Sequence, residues 1–164
     1  MILDIITEPN KILHEATREL TGADLNNPNI KKLLIDMAET MYAKDGVGIA
    51  ANQVGESYKI CVIAKQFTAN KKNDLILINP RWEKTTLRKT IDVEGCLSVP
   101  NTYGEVKRYK KIRVRAINEN GKPIEFVAED FFARIIQHEV DHLSGHLFVE
   151  KAKNIQYIEP GKNI

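Results

Sequence analysis

The clearest chemical feature of the sequence is a pair of histidines near its C-terminal end. His138 and His142 lie four residues apart in the pattern H-E-x-x-H. On a helix this spacing places both imidazoles one turn apart on the same face, so both can bind one metal ion. Glu139 directly follows the first histidine and can exchange protons with water at the open position of the metal. The pattern favours a hydrolytic metal site over a pair of surface or core histidines.

Two histidines do not complete a catalytic metal site, since such sites use three protein ligands and keep a fourth position for water. Cys96, within residues 94–100, is a candidate third ligand because a flexible glycine precedes it and Pro100, typical of a strand end, follows. A cysteine between glycine and leucine is also commonly a small buried apolar residue. From the residues alone, both interpretations of Cys96 stay open.

The period of the apolar residues predicts the helices that must position these side chains. A helix is predicted over residues 130–143, with Gly145 as the left-handed residue that ends it. An earlier helix is predicted to begin at Asn27, a good N-cap, and Pro28, whose missing N–H is not needed in the first turn. It is predicted to end at residues 45–46. Its apolar face has helical spacing and comprises Ile30, Leu33, Leu34, Met37 and Met41.

Between the two helices the pattern changes to that of β-strands. Short β-rich runs at residues 59–64 and 75–78 predict two strands, the second ended by Asn79-Pro80. Residues 112–128 predict a hairpin, because apolar and charged side chains alternate before the turn-forming residues 118–121. The expected fold class is α+β, with mostly antiparallel strands packed around a long C-terminal metal-binding helix.

Length and composition limit the number of domains and the classes of partner that the chain could have. The chain has 164 residues and a net charge of +2, with 43% hydrophobic and 28% charged residues. These values are typical of one globular domain and give no strong attraction to nucleic acid or membranes. We expect a single catalytic domain over residues 1–164, with the tail after about residue 148 left without an assignment.

The low number of cysteines and the lack of a membrane-length apolar run bear on the cellular compartment of the protein. Two cysteines are too few for a disulfide scaffold, and we expect Cys61 to be a core residue. No apolar run is long enough for a membrane span, and the first residues lack the features of a targeting signal. We therefore expect a cytoplasmic protein.

A basic segment at residues 107–111, followed by Arg113 and Arg115, could indicate nucleic-acid contact. Lysine and arginine are also common on exposed edge strands, where they oppose pairing with other chains. We expect the solvated face of an edge strand here and no direct nucleic-acid binding.

The sequence around these candidate residues resembles that of the peptide deformylases. That family carries three signatures in order: G-x-G-[aliphatic]-A-A-x-Q, then E-G-C-L-S, then Q-H-E-x-D-H-L-x-G. The chain has all three, at residues 46–53, 94–98 and 137–145. The resemblance spans about residues 2–148, and the strand-rich middle and late helix predicted from periodicity agree with it.

The resemblance implies a role for each matching residue. Water or hydroxide would occupy the fourth position of a metal ion, and Glu139 would act as general acid and base. The Gln53 side chain and the backbone N–H of Leu97 would donate hydrogen bonds to the oxyanion. The implied metal ligands are Cys96, His138 and His142.

A peptide-binding groove is also implied. Gly48 and its neighbours Val47 and Ile49 would hold an extended peptide backbone, and glycine suits a position that only main chain can approach closely. Helix geometry places Phe131 and Ile135 seven and three residues before the first histidine ligand, on the ligand-bearing face. They would form an apolar wall for a methionine side chain, although both also fit simple core positions.

Two residues depart from the common family pattern. Asn52 stands where proline is usual, which we expect to loosen the loop slightly with little effect on Gln53. Tyr103 occupies a position near the methionine pocket where many bacterial members carry arginine, and this bears on fine substrate preference.

The implied reaction is removal of the N-formyl group from the N-terminal methionine of newly made proteins, by attack of metal-bound hydroxide on the formyl carbonyl. The ligand set suits Fe²⁺, Zn²⁺, Ni²⁺ or Co²⁺, and the resemblance favours Fe²⁺. The implied partners are N-formylmethionyl nascent peptides, which would bring the protein near the ribosome. One alternative is a zinc metallopeptidase, which would need a third ligand at His146, Glu150 or Glu159. A catalytically inactive metal-binding relative is the other.

Overall fold

The computed structural model describes residues 1–161 of the chain. Within these residues the α-helices are Gly22–Leu25 (α1), Pro28–Ala43 (α2) and Asp130–Leu143 (α3). The strands are β1 (Gly48–Ala50), β2 (Ile60–Ile63), β3 (Leu75–Lys84), β4 (Lys89–Cys96), β5 (Val99–Tyr109), β6 (Lys111–Ile117), β7 (Pro123–Glu129) and β8 (Lys153–Tyr157).

The strands form two antiparallel sheets, which confirms the predicted α+β class. The larger sheet has the order β1-β2-β3-β6-β7, so β1 is one of its edges. The smaller sheet has the order β4-β5-β8, and a two-residue turn at 97–98 joins β4 to β5. The edge strand β1 and the end of β4 both border the candidate site described below.

Strand β2 lies between two apolar cores, one on each face of the larger sheet. Cys61 and Ile63 pack in the core that includes Ile136 of α3. Ile60 and Val62 pack in the core formed with α2. Because both faces are buried, the strand is a continuous apolar run and shows no polar alternation.

Helix α2 begins where the sequence predicts. The Asn27 side chain accepts a hydrogen bond from the Asn29 N–H at 2.9 Å, and Pro28 occupies the first turn. The predicted apolar face is confirmed, with Leu33 only partly buried and the other four residues in the core: Ile30, Leu34, Met37 and Met41.

The predicted end of the strand at Asn79-Pro80 is wrong, because β3 continues through these two residues to Lys84. The register between β3 and β6 shifts between Ile78 and Arg81, and Asn79 has a φ of +52°. The Asn79 side chain also exchanges two hydrogen bonds with the backbone of Leu20, at 2.8 and 2.9 Å. A bulge therefore accommodates the proline without ending the strand.

The expected edge strand at the basic segment is also wrong. Strand β5 lies between β4 and β8, and β6 lies between β3 and β7, so neither is an edge. Arg113 and Arg115 are solvent-exposed as expected, but Arg108 is only 4% exposed. Its charge is used inside the protein, next to the candidate site.

The segment after residue 148, which the sequence left without an assignment, is part of the fold up to residue 157. It contains β8, whose residues pair with β5 at the edge of the smaller sheet. Among the helices of residues 1–161, none has the length and apolar character needed to cross a membrane.

Candidate metal centre and active site

Helix α3 carries the H-E-x-x-H pattern over the predicted bounds. Gly145, just beyond its end, has a φ of +78°, and a Cβ atom there would lie 2.7 Å from the backbone of His14. The buried face of the helix packs on the larger sheet through Ala133, Ile136 and Leu143. This packing fixes the rotation of the helix, so both histidines point toward the end of β4.

The structure brings the three predicted ligands together. The donor atoms of Cys96, His138 and His142 all lie within 4.8 Å of one another. Cys96 Sγ lies 3.1 Å from His142 Nε2, because the thiol is at the end of β4 where the chain turns into β5. One sulfur and two imidazole nitrogens form a donor set that suits a divalent transition metal. The residues therefore fit the metal that the sequence predicts.

A buried carboxylate orients the first histidine. His138 Nδ1 donates a hydrogen bond to Glu94 Oε1 at 2.8 Å, which leaves Nε2 as the nitrogen available to a metal. Glu94 also accepts two hydrogen bonds from Arg108, at 2.8 and 2.9 Å. Although burial alone would raise the pKa of Glu94, the hydrogen bonds from Arg108 and His138 hold this pKa well below its usual value. The carboxylate is therefore charged and binds the histidine as an anion.

The charges around Glu94 form a continuous buried network. Arg134 Nη1 donates to Glu94 Oε2 at 2.7 Å, and Arg108 Nη1 donates to Asp141 Oδ2 at 2.5 Å. Lys151 Nζ, 2.8 Å from Asp141, ends the network at the surface. The two guanidinium groups compensate the buried charge of the Glu94 carboxylate. The carboxylate in turn fixes the orientation of the His138 ring through its hydrogen bond to Nδ1.

Sequence reasoning gave none of these supporting residues a role. A usable signal was present, since Glu94 and Cys96 are two residues apart on one strand and so share a face. Arg134 and Asp141 lie four residues before and three residues after His138, on the same side of α3.

Glu139 is almost completely buried beside the ligands. It is 3% exposed, and its Oε2 atom has no hydrogen-bond partner among residues 1–161. Burial raises the pKa of Glu139 to about 7. A Cβ atom at Gly48 would lie 2.5 Å from Glu139 Oε1. A larger residue at position 48 would therefore displace this carboxylate, a constraint that the sequence did not reveal.

Gln53 lies in a short 3₁₀ helix, Ala51–Val54, that follows β1. Its Oε1 accepts the Ala50 N–H at 2.9 Å, which leaves the amide nitrogen to act as a donor. That nitrogen lies 3.4 Å from Cys96 Sγ and 3.2 Å from Ser98 Oγ. The Gln53 amide nitrogen therefore points toward the thiol of the ligand cluster.

A cavity of about 540 Å³ opens onto this cluster. Its lining includes Gln53, Leu97, His138 and Glu139 together with most of the predicted substrate-binding residues, namely Val47, Gly48, Tyr103, Phe131 and Ile135. Ile49, predicted together with Val47 and Gly48 to hold a peptide backbone, has a side chain that is fully buried in the core with α2. Adjacent residues of β1 face opposite sides of the sheet, so a contact of Ile49 with substrate would come from its backbone. Ile135 is 3% exposed and serves as both core and cavity wall.

The two residues that depart from the family pattern, Asn52 and Tyr103, both make defined contacts at the site. Asn52 is fully buried, and its Nδ2 atom donates a hydrogen bond to the His142 carbonyl at 2.6 Å, a contact that proline could not make. The Tyr103 ring lies over Gly95, where a Cβ atom would be 2.8 Å from the ring. Tyr103 thereby forms part of the cavity wall next to the thiol ligand.

Two of the three alternative third ligands, His146 and Glu150, pair with each other outside the ligand cluster. His146 Nδ1 and Glu150 Oε2 contact each other at 2.9 Å, and both side chains are more than 40% exposed. The ligand cluster contains Cys96 instead. A helix-borne H-E-x-x-H pattern, an upstream thiol and an adjoining cavity define a metal-dependent hydrolase that acts on a carbonyl group.

Comparison with known proteins identifies the family. The polypeptide deformylase family matches residues 2–157. A peptide deformylase from Pelotomaculum thermopropionicum is 42% identical over 159 residues, covering 97% of each chain. One from Symbiobacterium thermophilum is 42% identical over 161 residues, covering 94% of this chain and 69% of the relative. A class I type b peptide deformylase from Acinetobacter baumannii, bound to Met-Ala-Ser, superposes with a TM-score of 0.86 at 33% identity, covering 92% of this chain and 98% of the relative.

The chain belongs to the polypeptide deformylase family. It is a metal-dependent hydrolase of the kind that removes N-formyl groups.

Proposed function

We propose that this chain releases formate from N-formylmethionyl peptides in the 540 Å³ cavity, using one divalent ion held by Cys96, His138 and His142. One observation carries the proposal: three donor atoms within 4.8 Å of one another lie beside a buried carboxylate oxygen of Glu139 that has no hydrogen-bond partner among residues 1–161. A buried polar atom without a hydrogen-bond partner is costly to keep and calls for an explanation, and hydrolysis of an amide requires a group that moves a proton.

A bound divalent ion supplies Lewis acidity and lowers the pKa of water from 15.7 to about 7. Glu139 then takes the proton of the attacking water and returns it to the departing methionine amine. Its carboxylate is suited to this role because it is almost completely buried and is approached closely by the backbone of Gly48.

The oxyanion that develops at the formyl carbon would be stabilised by two further donors. The Gln53 amide is held with its nitrogen toward Cys96, and Leu97 begins the turn that follows the thiol. Both residues line the cavity. Donors fixed before the reaction stabilise developing charge without reorganisation, and loss of one such donor costs on the order of 10²–10³ in rate.

The substrate would bind as an added strand. Strand β1 is an edge of the larger sheet, and Val47 and Gly48 line the cavity, so their backbone can pair with an extended peptide. The methionine side chain would lie against Phe131 and Ile135 on α3, which are apolar and line the same cavity. In the Acinetobacter baumannii relative, the bound peptide begins with methionine.

The direct test is formate release from formyl-Met-Ala-Ser by anaerobically prepared, iron-loaded protein, with elemental analysis of the same sample. Wild-type protein is expected to turn over, and Glu139→Ala is expected to keep its metal and lose on the order of 10²–10⁴ in kcat. Full activity in Glu139→Ala would remove Glu139 from the proton-transfer role. Cleavage of internal peptide bonds would favour a metallopeptidase, and bound metal without turnover would favour an inactive relative.

We infer from the family resemblance that the working ion is Fe²⁺, and Zn²⁺, Ni²⁺ and Co²⁺ can replace it because a thiolate and two imidazoles suit all four ions. A ferrous ion beside the Cys96 thiolate would make the enzyme sensitive to oxygen. Activity of the iron form is therefore expected to decay in air while the nickel form stays active, and equal lifetimes would contradict this oxygen sensitivity. The substrates are nascent chains, which places the proposed work in the cytoplasm near ribosomes.

A further inference from the structure

The contact between Asn52 and the backbone of α3 has no counterpart in the chemistry proposed above. Asn52 is fully buried, and Nδ2 donates to the His142 carbonyl at 2.6 Å. The Asn52 Oδ1 and His142 Nδ1 atoms are both buried without a hydrogen-bond partner among residues 1–161. In a site that excludes water, a hydrogen bond of this kind is stronger than it would be at the surface.

Asn52 and Gln53 are consecutive residues of the 3₁₀ helix Ala51–Val54. With three residues per turn, neighbouring side chains on such a helix point about 120° apart. Asn52 therefore reaches His142 on α3, while Gln53 reaches Cys96 at the end of β4, 3.4 Å away. One short rigid turn thus contacts two ligands that come from separate elements of the fold.

We propose that Asn52 is a positioning residue that holds His142 in place relative to Cys96. It acts on the last turn of α3, where the helix ends and carbonyl groups lack partners further along the helix. The other donors to the His142 carbonyl among residues 1–161 are N–H groups of the turn that ends the helix, such as that of Gly145 at 3.0 Å. The proposal rests on the ligand set proposed above.

The competing explanation is that Asn52 merely caps the helix. Thr17 provides a matched control, because its N–H and hydroxyl both donate to the next carbonyl, that of Leu143, at 2.9 and 3.0 Å. Thr17 caps the same turn, and its hydrogen bonds among residues 1–161 go to this carbonyl and not to a ligand side chain. If capping were the whole role of Asn52, removal of either side chain would have the same effect.

The test compares wild type, Asn52→Leu and Thr17→Val, each loaded with Co²⁺. Leucine keeps the branched shape of asparagine and removes the donor, and Asn52→Ala repeats the test without that bulk. We expect Co²⁺ release to a chelator to be about 10–100-fold faster in both Asn52 variants, the usual cost of losing a supporting contact at a metal ligand. Their cobalt absorption bands should shift, and kcat should fall while KM stays within about twofold.

Thr17→Val is expected to release Co²⁺ within about twofold of wild type and to keep its spectrum. Wild-type release rates in the Asn52 variants, or equal acceleration in Thr17→Val, would overturn the positioning role. A wild-type spectrum without a sulfur-to-cobalt charge-transfer band would instead refute the ligand set itself. Failure of this inference and failure of the proposed function are therefore distinguishable.

Discussion

Replacement of Glu94 by glutamine tests whether the ligand cluster depends on the buried charges behind it. The carboxylate accepts four hydrogen bonds: two from Arg108 and one each from Arg134 and His138, all between 2.7 and 2.9 Å. Each carboxylate oxygen takes two of them. Glutamine keeps one oxygen and turns an NH₂ group toward donors, so at least two hydrogen bonds are lost. Arg134 then loses its counter-ion, and Arg108 loses one of its two, since it still pairs with Asp141.

The magnitude follows from the burial of the network. Glu94 and Arg108 are 7% and 4% exposed, and breaking a buried ion pair from one side costs about 3–5 kcal/mol. For a chain of this length, 1 kcal/mol corresponds to about 2–4 °C in Tm, so Glu94→Gln should melt about 6–20 °C below wild type. Loss of the partner of His138 should also weaken metal binding by about 10–100-fold.

The assay is calorimetric unfolding of the apo and zinc-loaded forms, with zinc affinity measured by competition with a chelator. Glu125→Gln is the matched control, since Glu125 pairs with Arg115 at 3.0 Å and its side chain is 52% exposed. An exposed pair contributes at most about 1 kcal/mol, and Glu125 lies outside the site. A Glu94→Gln protein with the Tm and zinc affinity of Glu125→Gln would refute the role given to the buried network.

Three further predictions concern the site itself. Gln53→Leu should stay folded and metal-loaded while kcat for formyl-Met-Ala-Ser falls on the order of 10²–10³, and near-normal kcat would remove Gln53 from oxyanion binding. In Gly48→Ala the added methyl group would lie 2.5 Å from Glu139 Oε1, so the carboxylate should be displaced and kcat should fall. Gly22→Ala is the control, since its added methyl group meets no other residue within 4 Å among residues 1–161, and it should match wild type in the same assay. Removal of zinc by a chelator should abolish formate release, and protein in zinc at about 1,000 times Kd should be about 4.1 kcal/mol more stable than the apo form. That difference amounts to about 8–16 °C by calorimetry, and coincident melting curves would show that the ion does not bind the folded state.

The elements that position the site could be predicted where a local rule decides the structure. The bounds of α3 follow from apolar spacing and from Gly145, which must be glycine because of its positive φ and its contact with His14. The start of α2 follows from Asn27 and Pro28. Local rules failed at Asn79-Pro80, where a bulge anchored to distant Leu20 lets the strand continue. Such a contact, 59 residues apart in sequence, leaves no local pattern.

In the candidate site too, features set by local sequence could be predicted and features set by tertiary packing could not. The ligands and Glu139 are recognisable because their chemistry demands certain residue types at fixed spacing. Arg108 was misjudged because a basic run is usually solvated, and only the packing of β5 against α3 turns one of its members inward. The position of the Ile49 side chain depends on which face of β1 meets α2, which is likewise a property of the tertiary structure.

The central claim is that Cys96, His138 and His142 bind one metal ion together. X-ray absorption spectroscopy of the stoichiometric zinc form measures this directly, since zinc–sulfur and zinc–nitrogen distances differ. The expected result is one sulfur at about 2.3 Å and two imidazole nitrogens at about 2.0–2.1 Å, with the sulfur lost in Cys96→Ala. A zinc ion with no sulfur neighbour, or a sulfur signal that persists in Cys96→Ala, would contradict the account.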